Sequence, residues 1–178
     1  MKMFHYGLAL LLIAALMNPL SATADDREHR DKSFDVCVDP AVNFRLDDAD
    51  GSGDLSAGDG INAVGIIVPG GTIPAGGVAS CNLIASQRIG TFFANGRVVL
   101  GLPAAAPDDL AYVDWQFRID GKGAIDTTGP VKTVSEYPQT ITGSTGGVGP
   151  SKGEALTKVL DAGGFQIRLI VNNSGQGN

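Results

Sequence analysis

The stretch Tyr112-Val113-Asp114-Trp115-Gln116-Phe117-Arg118-Ile119 decides the fold of this chain, because its side chains alternate between apolar and polar. Alternation with a period of two is typical of a β-strand with one buried face. We expect the apolar face to pack in the interior: Val113, Trp115, Phe117 and Ile119. The opposite face should meet solvent, and in the reverse orientation it would supply the best polar groups for binding or proton transfer: Asp114, Gln116 and Arg118.

Short apolar runs separated by turn residues continue on both sides of this strand. The segment Asp120-Gly121-Lys122-Gly123 follows it as a turn, and the earlier dipeptide Asn95-Gly96 has the sequence of a tight hairpin turn. The chain contains 25 glycines, and its other apolar runs are equally short: 34–38, 61–68 and 165–171. Such turn signals, recurring about every ten residues, predict an all-β fold, either a sandwich or a barrel.

One segment, Glu154–Leu160, fits two kinds of secondary structure. A Ser-x-x-Glu pattern that begins at Ser151 is the capping box of a short helix. The same segment also alternates as a strand does, so both interpretations stay open. We expect at most one short helix in the chain.

Residues 1–24 have the features of a secretory signal peptide. Lys2 supplies a positive charge, Leu8–Leu16 is apolar, and Ala22-Thr23-Ala24 fits the small-residue pattern that precedes a cleavage site. The apolar run is too short to span a bilayer as a helix. We therefore predict a secreted or periplasmic protein with no membrane span. Residues 25–33 are predicted to be a disordered tail of acidic and basic residues, and 172–178 a flexible C-terminal tail.

The charge of the chain argues against two classes of partner. It has 13 Lys and Arg against 19 Asp and Glu, a formal net charge of −6. Nucleic acids and anionic membranes attract basic surfaces. Neither is expected to bind this chain.

The two cysteines, Cys37 and Cys81, both lie in the predicted mature protein. Two thiols in an oxidising compartment are expected to form a disulfide. On the chain-entropy model, closing a loop of this length stabilises the fold by about 4 kcal/mol.

Histidine is too scarce for most hydrolytic or metal chemistry. The chain has two, His5 in the signal segment and His29 in the polar tail. A Ser-His-Asp or Cys-His catalytic site is therefore not expected, and neither is a histidine-ligated zinc or copper site.

The segment Asp48–Asp59 (DADGSGDLSAGD) has the spacing of an EF-hand-type calcium loop. Oxygen-bearing side chains stand at its positions 1, 3, 5, 9 and 12, glycine stands at position 6, and Leu55 is an apolar anchor at position 8. The alternative is a solvated acidic turn in which Asp59 merely opens a strand. The predicted Ca²⁺ ligands are the side chains of Asp48, Asp50, Ser52, Ser56 and Asp59 and the backbone carbonyl of Asp54.

Several turn motifs resemble those of the allene oxide cyclase and dirigent-like β-barrel superfamily. One is the hairpin Ile141-Thr142-Gly143-Ser144-Thr145-Gly146 with Lys152-Gly153-Glu154 after it. The segments Gly58-Asp59, Pro69-Gly-Gly-Thr-Ile-Pro74 and Ile89-Gly90-Thr91-Phe92 resemble secreted bacterial members in the same order. The chain departs from the family pattern at Ser144, Val148 and Lys152. The resemblance covers roughly residues 58–171.

This resemblance implies a single closed antiparallel β-barrel of about eight strands, over residues 34–171, with an interior that can hold a small hydrophobic molecule. In plant members such a cavity steers cyclisation or coupling by shape and by exclusion of water. The matching motifs carry no catalytic residue, and no organic cofactor is expected. Any enzyme here would be a cyclase- or isomerase-like barrel without a histidine-based site. The alternative function is a noncatalytic structural or interaction domain stabilised by calcium, and a homo-oligomer is compatible with either function.

Overall fold

The computed structural model describes residues 32–53, 55–100, 102, 108–150, 152–161 and 164–171. The predicted signal peptide, most of the N-terminal tail, Asp54 and the C-terminal tail lie outside these residues. The first strand begins at Lys32, two residues before the predicted start of the domain at Phe34. Within the described residues, no helix has both the length and the apolar character needed to cross a membrane.

Strands make up most of the described chain, with one short α-helix and one 3-10 helix. The α-helix, α1, spans Pro40–Asn43, and the 3-10 helix spans Cys81–Gln87. Asp39 caps α1, since its carboxylate accepts a hydrogen bond from the backbone N–H of Ala41 at 3.1 Å. The strands are β1 Lys32–Cys37, β2 Phe44–Asp47, β3 Gly60–Pro69, β4 Gly90–Val98, β5 Asp109–Ile119, β6 Gly123–Lys132, β7 Glu136–Ser144, β8 Gly153–Val159 and β9 Gln166–Val171.

The strands close into an antiparallel barrel, as the resemblance implied. The order around the sheet is β1-β9-β8-β7-β6-β5-β4-β3, and β1 also pairs with β3, which closes the ring of eight strands. The short β2 continues along β3 beyond β1: Cys37 in β1 lies opposite Ile66, and Phe44 in β2 lies opposite Ala63. Closure removes the free strand edges through which sheets aggregate.

The strand predicted from alternation is β5, and its orientation is confirmed. Trp115 and Phe117 are 6% and 0% exposed, while Asp114 and Arg118 are exposed on the outer surface. The predicted turn after β5 also forms, and Gly121 has a φ of 67°, in the left-handed region that favours glycine.

The hairpin turn predicted at Asn95-Gly96 is wrong, because β4 runs without interruption from Gly90 to Val98. Gly96 lies directly opposite Val113 of β5. A Cβ atom at position 96 would clash with the backbone carbonyl of Tyr112. Glycine at this position therefore permits close packing of two strands rather than a turn.

The ambiguous segment after Ser151 is a strand, β8. Ala155 and Thr157 point into the barrel and are 1% and 0% exposed. Burial of every second side chain stabilises the strand, and the alternative of a capped helix is not realised.

The two ends of the barrel differ in how they are filled. The packed end contains the termini of β5 and β9 at Ile119 and Val171, and its interior is occupied by large side chains. The open end contains Asp109, Lys132 and Phe165, and it encloses a cavity. The fully buried side chains that fill the packed end include Phe117, Ile125, Ile141 and Leu169.

A second, smaller core lies outside the barrel, beneath a segment that we call the strap, residues 70–88. Ile73 and Ile84 of the strap pack there against Val68 and Leu160. The predicted disulfide is confirmed: Cys37 and Cys81 are bonded, with their Cα atoms 5.6 Å apart. It joins β1 to the 3-10 helix of the strap.

A buried ion pair also fixes the strap to the barrel wall. Asp35 of β1 is 0% exposed, and it accepts hydrogen bonds from Nε and Nη2 of Arg168 at 2.6 and 3.0 Å. The same carboxylate accepts hydrogen bonds from the backbone N–H groups of Gly71 and Ile73. Hydrogen bonding to Asp35 raises the pKa of Arg168. Since this buried charge is paired and fully hydrogen-bonded, removal of either partner would be strongly destabilising.

Candidate functional site

A cavity of about 380 Å³ lies inside the open end of the barrel. This volume is within the range that small-molecule sites occupy, about 300–1,000 Å³. Small inward-facing side chains from neighbouring strands leave the space, among them Ala63, Ala94 and Ala111. The larger side chains that line it are mostly apolar: Val36, Val38, Phe44, Leu55, Ile61, Phe92, Leu110, Val113, Trp115, Val131, Tyr137, Val159, Phe165 and Ile167.

Aromatic rings form much of the cavity wall. Trp115 contacts Phe92 and Tyr137 edge to face, with ring centroids 5.6 and 6.4 Å apart. Nearer the mouth, Phe44 and Phe165 form another edge-to-face pair at 5.2 Å. Such pairs are stabilising, and they hold the rings in defined positions.

Two polar atoms of this aromatic wall are without partners. Within the described part of the chain, neither the indole N–H of Trp115 nor the hydroxyl of Tyr137 makes a hydrogen bond. Each of these two atoms keeps some surface that is accessible to water. Burial raises the pKa of Tyr137, so its hydroxyl stays protonated at neutral pH.

Lys132 is the one charged residue among the described residues that line the cavity. Its Nζ lies 2.7 Å from Oδ1 of Asp109 and 3.2 Å from Oδ2 of Asp108. Hydrogen bonding to Asp109 and then to Asp108 raises the pKa of Lys132. One cation therefore lies beside two carboxylates at this point of the rim.

Three further polar atoms of the described residues are sealed inside the barrel. The hydroxyls of Thr127 and Thr157 and Oε1 of Gln139 are inaccessible and have no hydrogen-bond partner. Each residue is two or more positions along its strand from a cavity-lining residue, toward the packed end. The amide Nε2 of Gln139 donates to the carbonyl of Pro130 at 2.8 Å. In the strand register Thr127 lies opposite Trp115 and Thr157 lies opposite Tyr137, so these two hydroxyls are at the level of the aromatic wall.

The acidic loop, residues 48–59, brings three of the predicted calcium ligands together. Asp48, Asp50 and Asp59 can each offer one carboxylate oxygen, and these oxygens lie within 4.8 Å of one another. Such a group of hard oxygens fits a divalent cation such as Ca²⁺. Asp59 is fully buried, whereas Asp48 and Asp50 are exposed.

The carboxylates of the acidic loop are also hydrogen-bonded within it. Asp48 accepts from the N–H groups of Gly51 and Gly53 at 2.7 and 2.8 Å, and Asp59 accepts from that of Ser56 at 2.8 Å. These hydrogen bonds stabilise the compact turn that both the calcium-loop and the acidic-turn interpretations contain.

The predicted serine ligands lie beside the carboxylates. The hydroxyl of Ser56 donates to Asp50 at 2.8 Å and to Asp59 at 3.3 Å. The backbone N–H of Ser52 donates to Asp50 at 3.0 Å. Hydrogen bonds from Ser52, and next from Ser56, lower the pKa of Asp50 to about 2. The predicted carbonyl ligand, Asp54, lies outside the described residues.

Leu55 connects the acidic loop with the cavity. Its side chain is among those that line the cavity, although the residue is 41% exposed. The spacing of the loop identified Leu55 as an apolar anchor, but the sequence contained no signal that this anchor borders a cavity. The loop is held there by backbone hydrogen bonds between Asp59 and Val98 and between Gly58 and Val98.

The polar face of β5 lies on the outside of the barrel and does not reach the cavity. Gln116 donates to Asp126 at 2.9 Å and accepts from Arg118 at 2.6 Å. Asp114 and Gln116 line a shallow outer depression of about 740 Å³. The expected solvent-facing orientation is therefore correct, and this face supplies no group for chemistry in the interior.

Comparison with known proteins gives the fold and no family. No family model matches the chain, and no curated protein matches it. Eighteen chains of solved structures match its fold. One is pyocyanin demethylase, with a TM-score of 0.54 and 18% identity, covering 79% of this chain and 98% of that one. At this identity the likeness supports a shared barrel fold alone.

Proposed function

We propose that this protein binds a small, predominantly apolar molecule in the cavity at the open end of its barrel. The observation that carries the proposal is the cavity of about 380 Å³ with its apolar and aromatic wall. Apolar surface that is already organised into a concave site favours binding, since little ordering accompanies complex formation. The similar barrel of pyocyanin demethylase belongs to a protein named for a small molecule, which supports this class of function.

Chemistry in the cavity would be steering of the bound molecule, toward cyclisation or isomerisation, by shape and exclusion of water. Tyr137 is protonated at neutral pH, so it can donate a hydrogen bond but cannot act as a general base there. Lys132 is engaged by two carboxylates at the rim. The proposal therefore assigns the barrel a positioning role and no strong acid–base group. Membership of the allene oxide cyclase and dirigent-like superfamily is part of the same proposal.

A titration with N-phenylnaphthylamine, an uncharged dye that fluoresces in apolar surroundings, tests the proposal. Wild type should give saturable binding with one dye per chain. The variant Ala94→Phe fills the cavity from β4 and should weaken binding by about tenfold or more, since a phenyl ring occupies the ligand volume. Overpacking can also destabilise a core, so the fold of the variant is checked by circular dichroism and urea unfolding.

The matched control is Ala85→Phe, the same substitution at an exposed position of the 3-10 helix outside the barrel. It should bind the dye as wild type does. Unsaturable binding by wild type, or equal binding by a folded Ala94→Phe protein, would contradict the proposal.

A second candidate function is a noncatalytic, calcium-stabilised structural or interaction domain. The observation that favours it is the convergence of the Asp48, Asp50 and Asp59 carboxylates. A cation that binds only the folded protein would stabilise it, with the logarithm of the cation concentration once the site is nearly saturated. With dissociation constants of about 0.1–1 mM, as in extracellular calcium modules, about 10 mM Ca²⁺ should stabilise the fold by about 1–3 kcal/mol.

Thermal unfolding in calcium and in EDTA measures this effect. The variant Asp48→Asn should lose the calcium-dependent shift, whereas Glu154→Gln, which removes an exposed charge far from the loop, should retain it. An unfolding midpoint that is equal in calcium and EDTA would leave the acidic turn as the correct interpretation.

We also propose an extracellular or periplasmic location. The disulfide between Cys37 and Cys81 is compatible with it, because such bonds persist in oxidising compartments. N-terminal sequencing of the exported protein should find cleavage after Ala24. A protein that retains residues 1–24 would contradict the signal peptide.

A further inference from the structure

We propose that Trp115 and Tyr137 form a pair of hydrogen-bond donors that recognises an acceptor oxygen or nitrogen on an uncharged aromatic ligand. This inference rests on the proposed function, and it specifies the ligand class of the same cavity. The ligand would be a flat molecule with a carbonyl, ether or ring-nitrogen acceptor, and without a carboxylate.

The unpaired donors carry the argument. Buried Tyr hydroxyls and Trp N–H groups usually have a hydrogen-bond partner, because leaving such a group unsatisfied is unfavourable. Trp115 and Tyr137 are 6% and 3% exposed, and neither group has a partner among the described residues. Both rings line the cavity. An acceptor on a bound molecule would satisfy both groups.

The donor chemistry defines what the ligand must offer. An indole N–H only donates, and a phenol held protonated by burial donates readily. Their ring centroids are 6.4 Å apart, so the two donors belong to neighbouring rings of the same wall. A hydrocarbon of the same shape would leave both donors unsatisfied.

The electrostatics of the cavity favour an uncharged ligand. Lys132 is already paired with Asp108 and Asp109, so it offers little attraction to an anion. The carboxylates of Asp108 and Asp109 at the rim repel one. Burial of an anion in an apolar cavity without a free cation is strongly unfavourable. The edge-to-face rings of Phe92 and Trp115 give walls suited to a flat aromatic molecule.

Three naphthalene derivatives substituted at the same ring carbon test the inference: acetylnaphthalene, isopropylnaphthalene and naphthoate. The first offers a carbonyl acceptor, the second has a similar shape without an acceptor, and the third is an anion. Calorimetric titration of wild type should show tightest binding of acetylnaphthalene and weakest binding of naphthoate. Tyr137→Phe should weaken the binding of acetylnaphthalene about 3- to 10-fold, the range expected for one hydrogen bond. The same substitution should leave the affinity for isopropylnaphthalene unchanged.

The single tryptophan of the chain provides an independent measurement. Its indole N–H gives one side-chain signal in a proton–nitrogen correlation spectrum. Acetylnaphthalene should move this signal downfield, as a new hydrogen bond does, and isopropylnaphthalene should not produce that shift. The matched control is Tyr112→Phe, which removes a hydroxyl from a residue that is 50% exposed on the outer face of β5. It should leave all three affinities unchanged.

Loss of the Tyr137 hydroxyl should not unfold the protein, because that hydroxyl has no hydrogen-bond partner in the part of the chain that the structure describes. Equal affinities for acetylnaphthalene and isopropylnaphthalene, unaltered by Tyr137→Phe, would overturn the inference and leave the proposed function standing. Preferred binding of naphthoate would also overturn the inference. Failure of all three compounds and of the dye to bind would overturn both.

Discussion

The packed end and the open end of the barrel follow the same alternation of inward and outward side chains, but they enclose different amounts of space. At the packed end the inward residues are large, as at Phe117, Ile125 and Leu169, and they exclude solvent. At the open end Ala94 and Ala111 stand on the corresponding faces of β4 and β5. The difference shows that side-chain size at inward positions, rather than strand geometry, decides which part of this barrel is a core and which is a site.

The two ends are also stabilised by different means. The packed end relies on contact between apolar side chains, which contributes about 25 cal/mol for each Å² buried. The open half of the wall is supported from outside, where the strap packs on β1 and β9. Its disulfide and the pair formed by Asp35 and Arg168 hold that segment in place. The strap thus adds buried apolar surface, a covalent link and an ion pair to the outside of the wall.

The largest expected effect is the stability lost when one phenylalanine at each end is replaced by alanine. Phe117→Ala should destabilise the protein by about 3–5 kcal/mol, because it opens a cavity in a filled core. Phe165→Ala, at the partly exposed mouth, should cost about 1–2 kcal/mol, since less apolar surface is buried there. Urea unfolding measures both. Equal losses of stability would mean that the two ends do not differ in packing as described.

Removal of the disulfide tests the external support. The double variant Cys37→Ala, Cys81→Ala should lose about 4 kcal/mol, because the unfolded chain is no longer constrained across 44 residues of sequence separation. The loss is measured by urea unfolding. Reducing the disulfide of the wild-type protein under mild conditions gives the same comparison of stability without a substitution. A loss below about 1 kcal/mol would show that the strap is held by its packing and by Asp35 alone.

The smallest effect concerns Tyr137, a residue of the aromatic cavity wall. Burial raises its pKa in the folded protein, so the folded state keeps the phenol proton after the unfolded state has begun to lose it. Stability should therefore fall as the pH rises above about 10, the ordinary tyrosine pKa, by up to about 1.4 kcal/mol per pH unit. Tyr137→Phe should remove this contribution.

Urea unfolding at several alkaline pH values gives the slope for wild type, for Tyr137→Phe and for the control Tyr112→Phe. The control should retain the wild-type contribution. A slope that Tyr137→Phe leaves unaltered would indicate that this part of the cavity wall is as well hydrated as the outer surface.

Much of the barrel could be predicted from local pattern. The alternation in β5 identified the strand and its buried face, because the period of a strand is visible in eight residues. The pairing of Cys37 with Cys81 followed from composition alone. The spacing of the acidic loop, residues 48–59, identified three carboxylates whose oxygens the structure brings within 4.8 Å of one another. Each of these features depends on residues close in sequence or on a choice with few alternatives.

The errors arose where a local signal was decided by a distant neighbour. Asn95-Gly96 has the sequence of a turn, yet β5 approaches so closely that glycine is needed inside a strand. The segment containing Glu154 was compatible with a helix until β7 and β9 supplied partners on both sides. Pairing with other strands overrides the preference of a short segment.

The sequence by itself determined that this chain is a β-protein with one disulfide, with Trp115 and Phe117 facing inward. Only the tertiary structure decided that one end is hollow and that the rings of Trp115 and Tyr137 meet there, with donors that have no partner among the described residues. The cavity is the space left when strand register places the inward side chains of eight strands at matching levels along the barrel axis. Those levels depend on strand register, and a slip of one residue would exchange the inward and outward faces. No single strand contains that information, so the site emerges only when the barrel closes.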